Sequence, residues 1–344
     1  MTVAFASAQA PKYSNEFLSI GVGARPMGLS GAVVAIDDDA TAAMWNPAGL
    51  SRCKGDLQLS AMHAELFAGI SKFDYATLAT HIDTARTIGF SIVRFGTDDI
   101  PNTLDLVDAS GLIDYSRLSS FSIADYAFVF TYSQQTRLPG LRIGGNAKVI
   151  HRKVGDFGKA WGFGFDLGAQ YAVGQWQFGV MAKDVTSTFN AWSYNTELLE
   201  ATFSKTGNEI PKNSTEITLP KLIPGAAYRH DFNEKFTLLA ELDAELTFDG
   251  QRNVLIGSSV VNIDPRIGLE AGYAGLVFLR AGLQNVQKVK EFDGTTSTIF
   301  QPNLGIGVKL GKIAIDYALT NIGSQQILYS NIFSIRLEIT KQKR

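Results

Sequence analysis

Side chains that could catalyse a reaction or bind a metal are few and scattered in this 344-residue chain. The four histidines lack the spacing of metal ligands, and the single cysteine, Cys53, excludes a cysteine-based zinc cluster. The acidic run 37–39 could bind a cation through its carboxylates, although helix capping and salt bridges account for it more simply. No nucleophile elbow or triad spacing is present. We therefore expect no metal, no cofactor and no enzymatic activity.

Charged side chains that lie an even number of residues apart in two segments are more informative about the fold. Alternate residues of a β-strand share one face, so the spacing predicts one acidic and one basic strand. Their charged residues are Glu241, Asp243 and Glu245 on the first, and Arg142, Lys148 and Arg152 on the second. Charges that face an enclosed interior need partners. We expect a structural network that Arg25 can join through the acidic strand, with a polar translocation route as the alternative.

Composition limits the class of protein to which these strands belong. Charged residues make up 19% of the chain, below the roughly 25% of soluble proteins. The net charge of -2 argues against a nucleic-acid partner. No run of about 18 apolar residues occurs, which excludes a membrane-spanning helix. A soluble β-rich protein and a membrane β-barrel remain.

Segments with period-two alternation follow one another from about residue 55 to the end of the chain. In residues 236–248, Phe236, Leu238 and Leu242 fall on one face, and Glu241 and Asp243 fall on the other. About fourteen such segments of about 9–14 residues suit tilted strands that cross a hydrocarbon layer. The predicted fold is all-β: an antiparallel transmembrane β-barrel of about fourteen strands, with an N-terminal plug segment in its lumen.

Connection lengths favour the membrane barrel over a soluble sandwich. Short turns, around residues 82–85, 135–140, 174, 231–234, 274–275 and 311–312, alternate with longer links. The longer links are 97–121, 153–159, 186–220, 249–263, 285–301 and 321–330. Short periplasmic turns and long outer loops are typical of outer-membrane barrels, whereas a Greek-key sandwich has no reason to sort its loops. We therefore predict that apolar side chains face lipid and polar ones line the lumen.

The longest of these links carries a candidate contact surface of aromatic side chains: Phe189, Trp192, Tyr194 and Phe203. An exposed apolar loop marks a partner surface or a ligand entrance. A lid packed over the barrel mouth is the alternative, and the sequence leaves both open.

The segment before residue 55 differs from the rest of the chain. Residues 1–10 are small and apolar and end in Ala8-Gln9-Ala10, which predicts a signal-peptide remnant, with a disordered terminus as the alternative. Residues 11–54 are rich in glycine, and we expect a short helix over 40–45 that ends at Asn46-Pro47. Such a compact segment suits the lumen of a barrel formed by residues 55–344.

Residues of this segment closely resemble the N-terminal signature of the PorV/PorQ outer-membrane proteins, within the wider group of FadL-like barrels. The residues that carry the resemblance are Gly21, Gly23, Arg25, Gly28, Gly31, Asp38, Trp45, Asn46 and Pro47. The C-terminal segment 305–318 is similar as well.

This resemblance implies a barrel of about fourteen strands with an N-terminal plug in the bacterial outer membrane, surrounded by outer-membrane lipid. It further implies a non-enzymatic role in type IX protein secretion. In that role the barrel docks to a large translocon barrel or carries secreted client proteins to the cell surface. The alternative function is FadL-like transport of hydrophobic small molecules across the outer membrane.

Overall fold

Antiparallel pairing places the strands of this protein in one sheet that closes on itself. The computed structural model describes residues 14–340, apart from residues 105, 108–109, 207–208, 210, 291–293 and 322–328. The signal-peptide remnant predicted at residues 1–10 lies outside the described residues.

Sixteen β-strands are present in the described residues. In chain order they are β1 Leu57–Leu66, β2 Ser71–His81, β3 Arg86–Asn102, β4 Ser119–Gln135, β5 Leu141–Val154, β6 Gly158–Val173, β7 Trp176–Lys183, β8 Thr188–Tyr194, β9 Ser214–Thr218, β10 Lys221–Asp231, β11 Phe236–Thr247, β12 Asn262–Tyr273, β13 Val277–Lys290, β14 Thr296–Leu310, β15 Ile313–Thr320 and β16 Ser330–Ile339. Each pairs with its sequence neighbours except around β8 and β9, and β1 pairs with β16 to close the ring.

Two of the strands in the ring are interrupted, so the sixteen segments of the described chain form a fourteen-stranded barrel. β7 pairs with the second half of β6 and β8 pairs with its first half, so that β8 continues β7. In the same way β9, which pairs with β8, is continued by β10, which pairs with β7. The predicted closed antiparallel barrel of about fourteen strands is confirmed.

The assignment of residues 186–220 to a loop is wrong, because β8 and β9 extend the wall through most of its two ends. Three other predicted links are also too long. The link between β3 and β4 shortens to residues 103–118, that between β5 and β6 to 155–157, and that between β13 and β14 to 291–295. The ends of β3 and β4 extend past the hairpin at 67–70, because Thr97 of β3 pairs with Ser71 at the start of β2. Polar side chains lie on both faces of these ends, which removes the alternation that marks a strand.

All six connections at the end opposite the long loops are short turns, as predicted. They span residues 82–85, 136–140, 174–175, 232–235, 274–276 and 311–312. We call this end the turn end and the other the loop end. The helices are short: α1 Ala24–Gly28, α2 Ala42–Trp45 and, in the loop after β8, α3 Thr196–Thr206. Within the described residues no helix is both long and apolar enough to cross a bilayer.

The outer surface of the barrel is apolar, as the sequence predicts. Leu242 is 53% exposed and Phe130 is 55% exposed in the middle of their strands. Aromatic side chains form a girdle near the turn end, where Tyr132, Tyr171, Trp176, Tyr228 and Tyr273 are all exposed. An apolar band with an aromatic border is the surface of a barrel that faces lipid.

Residues 14–54 lie inside the barrel. Nearly all of them are buried, although they contain little regular structure. Their hydrogen bonds reach strands on all sides of the ring: Asn46 reaches β6, Ala40 reaches β1, Ala35 reaches β11 and Ala24 reaches β16. We call residues 14–54 the plug.

Leu242→Arg tests the outward orientation of the apolar face. We expect this substitution to destabilise the barrel by about 2–4 kcal/mol in lipid vesicles, because it places a charge near the bilayer midplane. Phe236→Arg, on the same face at the end of the same strand, should cost about 0–1 kcal/mol. Reversible urea unfolding in vesicles measures both. Equal effects at the two positions would contradict the lipid-facing orientation.

Candidate functional site

Glycines on the inner wall let the plug lie directly against the strands. A Cβ added at Gly144 of β5 would lie 2.5 Å from the carbonyl carbon of Pro47. A Cβ added at Gly282 of β13 would lie 2.5 Å from the carbonyl carbon of Leu29. Both separations are far below van der Waals contact, so any larger residue would push the plug away. Glycines on the inward face of the strands therefore allow the plug to pack closely against the wall.

Two glycines of the plug motif lie against one aromatic ring, that of Trp45. Gly21 and Gly31 have φ of 93° and 71°, and their backbones lie against the Trp45 ring. The Trp45 indole N–H donates to the Val22 carbonyl at 2.8 Å. Gly23 also has a positive φ and precedes α1. Left-handed backbone and close ring contact both favour glycine, which explains these positions of the motif.

Asn46, Pro47 and Gly28 fix the plug to the wall. The Asn46 side chain donates to the carbonyls of Val34 at 2.8 Å and Ala169 at 3.0 Å, and it accepts from the Ala48 N–H. Pro47 begins a 3₁₀ turn that runs to Arg52. On the opposite side Gly28 of α1 meets the backbone of Gly305 on β14.

Arg25 and Asp38 begin a chain of ion pairs that crosses from the plug into the wall. Arg25 contacts Asp38 at 2.9 Å and Glu270 of β12 at 3.0 Å. Arg280 of β13 contacts the same Glu270 at 2.6 Å and then Asp316 of β15 at 2.7 Å. The prediction that Arg25 joins the acidic face of β11 is wrong, because its partner lies one strand further along.

The acidic residues of β11 instead hold the plug backbone. Asp243 accepts hydrogen bonds from the N–H groups of Val33 and Val34 at 2.9 and 3.1 Å, and Glu241 accepts from Ala35 at 2.6 Å. Buried backbone N–H groups outside regular structure need such partners.

Glu245, the third acidic residue of β11, forms ion pairs within the wall. Its carboxylate contacts Lys221 of β10 at 3.1 Å and Arg266 of β12 at 2.6 Å. It therefore differs from Glu241 and Asp243, which bond the plug.

The basic residues of β5 form separate clusters. Lys148 is buried between Asp166 and Asp184, at 2.6 Å from each. Arg152 contacts Asp125 at 2.9 Å and Glu216 at 3.1 Å. Arg142 has no carboxylate partner among the described residues and donates weakly to a carbonyl of the adjacent turn. The predicted single network is thus wrong: the lumen holds several charge clusters, in which most inward charges pair with a nearby opposite charge of the wall.

Apolar side chains line the inner wall near the loop end, on seven consecutive strands from β15 through β16 and β1 to β5. We call this surface the apolar crescent. Its members are Met62, Ala64, Leu66, Phe73, Val93, Phe95, Ala127, Val129, Ile150, Ala318 and Ile332. The expectation that polar side chains line the lumen is wrong here, because the inward positions of these strands are apolar, whereas outward residues at the same level, such as Glu65 and Lys72, are charged.

The first residues of the plug cover the apolar crescent. Phe17 is 5% exposed and belongs to the same buried cluster as the crescent, and Leu18 and Ile20 pack against that cluster. Just before them, Ser14 donates to Glu216 at 2.9 Å and Asn15 donates to Thr218 at 2.9 Å. The N-terminal segment of the plug thus spans the lumen from the polar side of β9 to the apolar side.

The lumen below the plug is polar. A cavity of about 460 Å³ extends from the Arg25–Glu270 pair towards the turn end. Lys54, Arg229, Lys235, Lys309 and Glu338 are among the residues that line it. The plug therefore lies between the apolar crescent near the loop end and a polar cavity at the turn end.

The aromatic residues expected in a surface loop are mostly part of the wall. Phe189 faces outward on β8, and Trp192 faces the lumen, with the Arg152 guanidinium 5.2 Å from its ring centroid. Tyr194 ends β8 and stacks on Trp192, and Phe203 lies half-buried on α3. Their prediction as one loop surface is wrong, because β8 continues the barrel through this segment.

Comparisons with known proteins bear on the fold. No family model matches the chain, and no curated protein matches it. Among solved structures, the chain resembles the CymD monoaromatic hydrocarbon channel, with 12% identity and a TM-score of 0.59 over 94% of this chain and 99% of CymD. It resembles the P. putida toluene transporter TodX with 14% identity and a TM-score of 0.59, over 94% and 99%. The Ralstonia pickettii toluene transporter TbuX has 13% identity and a TM-score of 0.56, over 92% and 98%.

These matches show that the chain has the fold of FadL-like barrels, over nearly its whole length. The named structures are channels and transporters rather than enzymes. The resemblance to FadL-like barrels seen in the sequence is confirmed at the level of the fold, whereas the narrower PorV/PorQ resemblance stays a prediction.

Asp243→Ala tests how the plug is held. The substitution leaves two buried N–H groups without an acceptor, at a cost of about 1–3 kcal/mol each. We expect the plug to loosen while the barrel stays folded, which would raise single-channel conductance in planar bilayers. Asp231→Ala, an exposed position at the turn end of β10, is the control and should conduct like the unmodified protein. An unchanged conductance in Asp243→Ala would argue against this anchoring.

Proposed function

We propose that this protein conducts hydrophobic small molecules across the bacterial outer membrane. The observation that carries the proposal is the apolar crescent inside the lumen. Its eleven apolar side chains share one buried cluster with apolar side chains of the plug, among them Phe17 and Met27. An apolar surface in a concave space binds apolar molecules by removing both from water.

The outer membrane is the location that the outer surface supports. Apolar side chains cover the lipid-facing wall, an aromatic girdle borders it, and the turn end has short turns only, whereas the longest loops lie at the other end. In bacterial outer-membrane barrels the short turns are periplasmic and the long loops extracellular. The apolar crescent then lies on the extracellular side of the plug and the polar cavity on the periplasmic side.

The N-terminal segment of the plug has the role of a cover in this proposal. Phe17, Leu18 and Ile20 occupy the surface that a hydrophobic molecule would contact. Binding therefore requires this segment to move, and the binding energy of the ligand offsets the lost contacts. Passage to the polar cavity further requires the Arg25 region to move, since Arg25 lines that cavity where it meets the plug.

The shared fold of the hydrocarbon channel and toluene transporters named above supports transport over secretion. A role in type IX secretion, with a translocon barrel or client proteins as partners, rests on the sequence resemblance alone. The aromatic side chains expected to make those contacts lie largely in the wall. A non-enzymatic role agrees with both functions.

Val93→Thr combined with Val129→Thr tests the apolar crescent. Each substitution keeps the shape of the side chain and adds a hydroxyl that an apolar ligand cannot bond, at about 1–3 kcal/mol or roughly 5- to 150-fold in affinity. We expect toluene uptake into proteoliposomes to fall at least about 5-fold. Thr131→Val, on the same inner face of β4 outside the crescent, is the control and should not reduce uptake. Unchanged uptake in the double variant would refute the proposal.

Phe17→Ala tests the cover. Because the Phe17 ring competes with ligand for the crescent, its removal should raise the affinity for a fluorescent hydrophobic probe about 10-fold or more. The equilibrium fluorescence of the probe in detergent measures this change. A lower affinity would instead make Phe17 part of the binding surface and contradict its role as a competitor.

A further inference from the structure

A groove of about 560 Å³ lies on the outside of the barrel, where β5, β6 and β8 approach the loop end. We call it the rim groove. Lys153, Lys159, Trp161, Asp156 and Tyr194 are among its lining residues. It is distinct from the lumen, because the neighbouring Arg152 points inward to Asp125 and alternation turns Lys153 outward.

Two lysines face each other across the rim groove. Lys153 and Lys159 are directly opposite in the register of β5 and β6, and both are exposed. Like charges opposite each other on one face of an antiparallel pair destabilise the sheet. An anion between or above the two ammonium groups would offset this repulsion and stabilise the arrangement.

The protein itself supplies little of that negative charge. Lys153 contacts Asp156 at 3.6 Å, and both side chains are more than half exposed. Lys159 has no ion-pair partner in the part of the chain that the structure describes. Elsewhere on the outer wall the pattern differs: Lys72 of β2 lies opposite Glu65 of β1. The rim groove is therefore a site of unbalanced positive charge.

The surface beside the lysines matches the boundary of a membrane. Trp161 is 54% exposed, and the His151 ring lies 4.2 Å from it, centroid to centroid. The next outward pair towards the turn end is Val149 and Phe163, with which the apolar band begins. Tryptophan next to lysine above an apolar wall is typical of the level at which lipid headgroups lie.

We propose that the rim groove binds the phosphate-bearing headgroup of an anionic membrane lipid, with the phosphate between Lys153 and Lys159. The acyl chains of that lipid then lie along Val149 and Phe163, and Trp161 contacts the interfacial part. A soluble phosphate would use the lysines but not the adjoining apolar wall, which favours a lipid. This inference requires a membrane position and is independent of what crosses the lumen.

Native mass spectrometry of the full chain tests the proposal. The protein is delipidated in detergent and titrated with lipid A, phosphatidylglycerol or phosphatidylcholine. Each lysine near an anionic headgroup contributes about 5-fold in affinity, so Lys153→Gln with Lys159→Gln should weaken binding of the anionic lipids about 30-fold. Lys72→Gln is the matched control, an outward lysine opposite a carboxylate, and should leave lipid binding unchanged.

Three further results decide the outcome. Lys153→Arg with Lys159→Arg keeps both charges and should retain the lipid, which protects the test against misfolding of the glutamine variant. Millimolar inorganic phosphate should not displace the lipid, and displacement would identify a site for free anions instead. Equal binding of phosphatidylcholine, or equal binding by the glutamine variant, would overturn the proposal. Toluene uptake by the glutamine variant should remain normal, which separates this inference from the transport proposal.

Discussion

The hydrogen bonds of the plug backbone are the constraint on which the rest of the structure depends. Residues 14–54 form only short helical turns joined by irregular segments, yet they are enclosed in a lumen where an unpaired N–H or C=O is costly. The wall supplies the missing partners from inward side chains. Asp243 and Glu241 accept from N–H groups of the plug, Gln170 donates to the Val34 carbonyl, and Asn146 donates to the Ala43 carbonyl. Polar residues are therefore distributed on the inner wall to suit the plug rather than to conduct water.

The same constraint explains why the lumen is divided. Where the plug backbone is close to the wall, glycines and carboxylates dominate, as at Gly144 and Asp243. Where the plug presents side chains instead of backbone, as at Phe17, the wall is apolar. The compartment at the turn end contains charges from both plug and wall, and these are paired, as Arg25 is with Glu270. One short segment thus meets three kinds of surface.

Period-two alternation predicted the strand number and the outward face well, because lipid imposes one chemistry on every outward position of the apolar band. It failed in two places. The ends of β3 and β4 are polar on both faces, and near the loop end of β1 and β2 the inward side chains are apolar while outward Glu65 and Lys72 are charged. Residue spacing predicted that Glu241 and Lys148 face the lumen, but it did not predict which residues they contact. Partners depend on the register between strands distant in sequence, as with Arg25 and Glu270, and alternation within one strand carries no information on register.

The contacts that hold the plug differ in strength along its length. This difference indicates the order of the movements that the proposed transport requires. The segment around Ser14 and Asn15 is held by one hydrogen bond to a carboxylate and by neutral bonds to Thr218 and Asn190, each worth about 0.5–1.5 kcal/mol net. The segment from Arg25 to Asp38 is held by bidentate and charge-assisted contacts, which are about twice as strong. Movement of the cover over the crescent should therefore precede movement of the Arg25 region. In the transport that we propose, a hydrophobic molecule then binds while the plug still closes the lumen, so that no continuous aqueous channel opens.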